Sequence, residues 1–270
     1  MPTDTLISLA PLLGAGLAAG LVAGLLGVGG GIVMVPILSL VLPAMGADDA
    51  VSMHMAVASS LAVIVVTSLV SARAHSRRGG VDLDTARLWA LPIAVGALAG
   101  ALAARFLSGD ALRVLFGFLA AFVGARFLLG RSAPAATLRW SRTGRQIAAT
   151  GIGVLSAWLG IGGGTFAVPV LHGVGLPIHR AVGTAALLGF FVALPGAIGF
   201  ALSGHGVDGR LTTSVGYLHL PAVLMLAAGA VLLVPVGARL AHALPQQHLR
   251  RVFGVFLLLA AARMMSKALA

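Results

Sequence analysis

Along most of this 270-residue chain apolar positions do not alternate with polar ones; they run on unbroken. Ala56–Val70, Leu88–Ala104, Ala181–Leu202 and Tyr217–Val236 hold almost no charge. Crossing about 30 Å of hydrocarbon takes about 20 such residues in a helix, and each run approaches or reaches that length. The pattern is one long interrupted apolar segment followed by three helices, and it occurs twice. The first copy predicts the interrupted segment Leu6–Ala44, then helices over Met53–Ser71, Thr85–Phe106 and Ala111–Gly130. The second predicts Gln146–Gly175, then His179–Leu202, Thr213–Leu240 and His248–Lys267.

The two copies also match in their residues. Gly27–Leu38 aligns on Gly160–Leu171, with the triple glycines and Pro36/Pro169 in register. "HMAVASS" from His54 answers "HRAVGTA" from His179, "GVD" occurs at Gly80 and again at Gly206, and "LRVLFGF" from Leu112 answers "LRRVFGV" from Leu249. A chain written twice points to two homologous transmembrane repeats. Residues 1–131 form the first and 146–270 the second, joined by a basic, cytoplasmic linker over 132–145. The expected fold is therefore an all-α polytopic membrane protein.

Relative orientation is harder to read. If each interrupted segment is re-entrant, each repeat crosses an odd number of times and the halves are inverted; if it crosses once, they are parallel. The 18 Lys and Arg residues gather on one side almost equally well in both cases. Length favours inversion, because Leu6–Ala44 as one helix would measure about 58 Å.

Glycine clusters sit at the interruptions: Gly27, Gly29, Gly30 and Gly31, then Gly160, Gly162, Gly163 and Gly164. Inside hydrocarbon a broken helix survives only where protein or a water-lined cavity satisfies its backbone. Glycine admits positive φ and lets a ligand or another backbone approach closely. The half-helix that follows directs its free N–H groups and positive dipole end back at the break, a natural anion site. Paired interruptions at matching places are the best sequence pointer to a transporter's site. The competing role, helix packing, suits Gly16, Gly20 and Gly24 at four-residue spacing. Dinucleotide binding is disfavoured: Ile32 and Thr165 stand where G-x-G-x-x-G needs its last glycine.

The doubled G-x-G-G-G-x-x-x-V-P-x-L, each copy followed by an Ala-Val-small-Ser/Thr helix start, resembles the sulfite exporter TauE/SafE family, also called the toluene sulfonate uptake permease group. The resemblance covers essentially the whole chain. It implies a bacterial inner-membrane, multi-pass secondary transporter, an exporter of small sulfur-containing anions such as sulfite or organosulfonates. Ala58 departs from the glycine kept at Gly183, and Ala185 stands opposite Ser60, so the half-sites are chemically unequal.

On this reading Gly29, Gly30, Gly31, Gly162, Gly163 and Gly164 are substrate-binding, with hydroxyls from Ser59, Ser60, Thr165 and Thr184. Thr165, within the second break, is the best of these candidates; Ser59, Ser60 and Thr184 could equally cap or back-bond their own helices. Gly27, Pro36, Gly160 and Pro169 keep the helices broken. His54 and His179, at matching positions, are candidates to neutralise the anion or carry a coupled proton; a loop position at the membrane edge is the plainer role for both. Asp82 and Asp208 are expected to cap the helices after them.

Composition narrows the classes. Hydrophobic residues make up 59% of the chain and charged ones 9%, against about 45–50% and about 25% in soluble domains. The net charge of +11 marks loop arginines, not nucleic-acid binding, since no aromatic residues interleave with them for base stacking. Absence of cysteine excludes disulfides and thiolate metal sites. Met1–Ala10 lacks a basic n-region and a cleavage site, so no removable signal peptide is expected. No catalytic constellation, metal set or cofactor motif is present, and scarce acids within the apolar runs argue against a cation carrier. The expected partners are a small anion and the lipid bilayer. A homodimer, a non-transporting membrane scaffold and an anion channel stay open.

Overall fold

The computed structural model describes residues 2–26, 29–129, 141–240 and 246–269. Gly27 and most of the expected linker lie outside them. Ten α-helices make up the described chain: α1 (Pro2–Leu26), α2 (Gly31–Ala44), α3 (Asp49–Ser76), α4 (Leu83–Ala103), α5 (Gly109–Leu129), α6 (Arg142–Leu159), α7 (Gly164–Gly173), α8 (Ile178–Ser203), α9 (Leu220–Leu240) and α10 (Gln246–Leu269). Five of them are long and apolar enough to cross a membrane, namely α3, α4 with the 3-10 turn Ala104–Phe106, α5, α8 and α9. The chain is an α-helical multi-pass membrane protein.

Caps explain several boundaries. The helix expected from Met53 starts at Asp49, because the Asp48 carboxylate accepts from the Ala50 N–H at 3.0 Å. Asp82 caps α4 as expected, accepting from the Thr85 N–H at 2.9 Å. Ser141 caps α6 through the Gly144 N–H, so 142–145, expected as linker, is helical.

Asp208 does not cap the helix after it. The segment from Thr213, expected to be helical, first makes a two-stranded antiparallel hairpin, β1 (Ser214–Val215) with β2 (Leu218–His219), and α9 begins only at Leu220. Gly216 turns the hairpin at φ 56°, and a Cβ there would sit 2.0 Å from the Ala201 carbonyl oxygen. Close packing of the turn on α8 overrides the helical pattern.

In the core α3 packs against α8, and further long seams join the two halves of the chain: α1 lies along α9, α6 along α4, and α10 along α5. Small residues set the first two of these seams. A Cβ on Gly16 would meet the Leu226 carbonyl oxygen at 2.4 Å, and one on Gly20 the Ala230 carbonyl oxygen at 2.2 Å. Likewise a Cβ on Gly96 would meet the Thr150 carbonyl oxygen at 2.2 Å, and one on Gly100 the Val154 Cα at 2.9 Å. Residue numbers rise together along these two seams, so each pair runs parallel. At one end of the bundle Arg180, early in α8, pairs with Asp82 at 3.1 Å. At the other, the Asp48 N–H donates to the Gly209 carbonyl at 2.8 Å, beside the start of α3.

Candidate functional site

Both apolar segments break at their glycines, and the two breaks lie against one another. Gly29 and Gly30 take φ of 76° and 79°, and Gly160 takes 62°, a region closed to most side chains. Gly163 is right-handed at φ −52°, so there the case for glycine rests on space alone. Gly31 is the tightest point: a Cβ would lie 2.2 Å from the Gly160 carbonyl oxygen and 2.9 Å from the Ile161 Cα. A Cβ on Gly29 would stand 3.3 Å from the Gly162 Cα. The first N–H groups of α2 and α7 have no partner inside their own helices. Pro36 and Pro169 do not end those helices but lie within them. Lacking an N–H, each leaves the carbonyl four residues back, Ile32 and Thr165, without its helical donor.

The buried helix α3 holds both breaks. Ser60 Oγ donates to the Gly160 carbonyl at 2.8 Å, and Thr67 Oγ1 donates to the Gly29 carbonyl at 3.2 Å. Ser59 and Thr184 make a matched pair elsewhere. Thr184 Oγ1 accepts the Asp82 N–H at 2.9 Å, just ahead of α4, and Ser59 Oγ accepts the His219 N–H at 3.0 Å, just ahead of α9. Each hydroxyl thus reaches from one half of the chain to the other: Thr184 from α8 to the residue before α4, and Ser59 from α3 to the residue before α9. Thr165, at the start of α7, has a buried Oγ1 without a hydrogen-bond partner.

Beside the breaks a crevice is lined by Gly29, Ser68, Ser71, Gly162, Gly164, Ala185, Ala186 and Gly189. It carries no charged side chain and is too narrow to admit a water molecule. This crevice is therefore not the water-lined cavity expected there.

The two histidines are unlike each other. His179 is exposed in the first turn of α8. His54 is not at a membrane-edge loop; it is 4% exposed within α3. Its Nε2 lies 3.1 Å from the Ala104 and Leu107 carbonyl oxygens, and its ring stacks on Tyr217 at 5.0 Å. Both partners of Nε2 are acceptors, so Nε2 carries the proton. His54 also borders a second cavity of about 390 Å³, which none of the break glycines lines, with Arg113, Arg105, Asp49, Asp110 and Tyr217. Arg113, 3% exposed, pairs there with Asp49 at 2.9 Å and with Asp110. Among the described residues no three His, Asp or Glu side chains come together to hold a metal.

The model of the sulfite exporter TauE/SafE family matches residues 12–264, nearly the whole chain. The chain belongs to the sulfite exporter TauE/SafE family. Its relatives include a probable membrane transporter protein of Haemophilus influenzae, 32% identical over 97% of this chain and 99% of its own length. A probable membrane transporter protein of Methanocaldococcus jannaschii is 25% identical over 95% and 97% of the two chains. The probable membrane transporter protein YunE of Bacillus subtilis is 28% identical over 70% and 77%. No solved structure matches. This TauE/SafE chain is accordingly a membrane transporter.

Sequence reasoning missed Thr67, Ser68, Ser71 and Arg113. For Thr67 and Ser71 a signal existed: with Ser60 they stand seven and four residues apart, on one face of a helix. Arg113 had none, since its burial depends on Asp49 and Ser52 of another helix.

Proposed function

We propose that this TauE/SafE protein is a secondary transporter, working as an exporter, that moves small sulfur-containing anions such as sulfite or organosulfonates across the bacterial inner membrane by alternating access. The observation that carries the reading is the contact between the two glycine breaks. Two half-helix N-termini begin at one place, between bare backbones and hydroxyls, with no fixed cation in the crevice. Helix N-termini favour anions, and neutral donors hold them without the strong ion pair that would oppose release.

An inverted pair of repeats fits the path of the chain. From its break α2 leads to Asp48, at the end where α3 starts; α7 leads from its break to Ile178, beside Asp82 at the other end. The half-helices thus leave towards opposite ends, and α1 and α6 are the inward limbs of two re-entrant segments. The matched bonds of Ser59 and Thr184 supply a latch at each end. Alternating access is the release of one while the other stays made, and the closed crevice corresponds to both being made.

Counterflow in proteoliposomes tests this. Vesicles loaded with unlabelled sulfite and diluted into labelled sulfite should accumulate label transiently and saturably. No accumulation with sulfite or with any alkylsulfonate rejects the reading, and flux that never saturates indicates a channel.

A further inference from the structure

One wall of the closed crevice is polar but unmatched. Ser71 is 1% exposed, lines the crevice, and its Oγ has no hydrogen-bond partner. A serine inside a helix can return its hydroxyl to a carbonyl of the preceding turn, as Ser68 does to the Val65 carbonyl at 3.1 Å; Ser71 does not. A buried hydroxyl left unmatched is costly, so the Ser71 hydroxyl is the donor in this wall that is free to take up a ligand oxygen. Across the crevice α8 offers only Ala185, Ala186 and Gly189. A Cβ at 189 would sit 3.4 Å from the Ser68 Cβ and 3.9 Å from the Gly163 nitrogen. The seam is closed by contact of α3 with α8, not by any large side chain, so a small separation of the two helices opens it.

We infer that the anion enters this α3–α8 seam and that Ser71 donates to one of its oxygens and sets specificity; the inference rests on the transport reading above. The chemistry of the walls names the ligand class. A hydroxyl donor on one side calls for an acceptor oxygen, and the methyl and glycine walls opposite accept a short apolar substituent. No cation lines the crevice, and the cost of desolvating an ion climbs steeply with its charge. The seam therefore selects a singly charged sulfonate-type head, hydrogen sulfite or a short alkylsulfonate, over the sulfate dianion.

The test uses the full chain in nanodiscs, with methanesulfonate, sulfite and sulfate as titrants in calorimetry and thermal-shift measurements. Wild type should bind methanesulfonate and sulfite and bind sulfate much more weakly. Ser71→Ala removes an unmatched hydroxyl, so the apo Tm should hold or rise while Kd for methanesulfonate weakens about tenfold, the size of one charge-assisted hydrogen bond. Gly189→Ala adds a methyl at ordinary contact distance, so it should keep its Tm and also lose affinity. Stability kept while affinity falls is a pairing that a purely structural serine would not produce. Wild-type affinity in both variants overturns the assignment, as does sulfate bound as tightly as methanesulfonate. Failure of the wild type to bind either methanesulfonate or sulfite overturns the transport reading itself, and that is read before any variant is made.

Discussion

Replacing Gly31 by alanine tests whether the contact between the breaks holds the centre together. The added Cβ would lie 2.2 Å from the Gly160 carbonyl oxygen, 2.8 Å from Ile64 Cδ1 and 2.9 Å from the Ile161 Cα. Two of these are backbone atoms, which no rotamer change can move aside, so the breaks must separate. Overpacking of a tight core costs about 1–3 kcal/mol, and backbone obstruction puts this site at the top, about 3 kcal/mol. Gly163→Ala is the internal control. It is right-handed, and its nearest neighbour would be Val192 Cγ2 at 3.3 Å, a side-chain end free to shift. Its backbone conformation is open to alanine, and the lost freedom of the unfolded chain, about 0.4–1 kcal/mol, offsets that crowding. At about 2–4 °C per kcal/mol, thermal unfolding of the purified protein should show Gly31→Ala lowered by about 6–12 °C and Gly163→Ala within about 2 °C of wild type. Equal Tm values for the two variants would refute the contact as described.

Three further outcomes follow from the same geometry. Thr184→Val leaves the Asp82 N–H without its acceptor, and Ser59→Ala does the same to His219; each should cost about 1–3 kcal/mol. Because the chain has no cysteine, single cysteines placed near Gly80 and near Gly209 can report opening, and each variant should raise labelling at its own end only. The Thr85 N–H and hydroxyl hold the Asp82 carboxyl below its ordinary value of 3.8, against a smaller opposing effect of burial, with Arg180 adding to the lowering. A depressed carboxyl stabilises the fold above its ordinary value and loses that contribution as pH falls through the lowered one. Asp82→Asn should therefore flatten the acid limb of the Tm–pH curve below about pH 4 and leave the neutral plateau lower. In a third case, Thr67→Val removes the donor to the Gly29 carbonyl and should lower Tm, with increased proteolysis confined to the first break.

The membrane class and the places of the two breaks were legible because each rests on local rules: long apolar runs, and glycine clusters that no helix tolerates. The helix Thr213–Leu240 was misread at its start because an apolar run hides a turn. Only the fit of Gly216 against Ala201 shows why the chain must reverse there. Ser59 and Ser60 looked alike in sequence, yet neighbours on a helix point about 100° apart. One therefore reaches His219 and the other Gly160. Matching His54 with His179 likewise misled. The Asp48 cap places His54 a full turn inside α3, against Tyr217, whereas His179 starts its helix in the open. Spacing put Ser71 on the helix face of Ser60 and Thr67, but its role was not legible, because that depends on the small residues that α8 places opposite.

Hydrogen exchange of the backbone amides, read with and without sulfite, tests most directly whether an anion is held where the two breaks meet. Saturating sulfite should slow exchange in both 29–34 and 162–167 while leaving the α5 and α10 amides unchanged. Saturable sulfite binding with protection in neither segment would contradict the account.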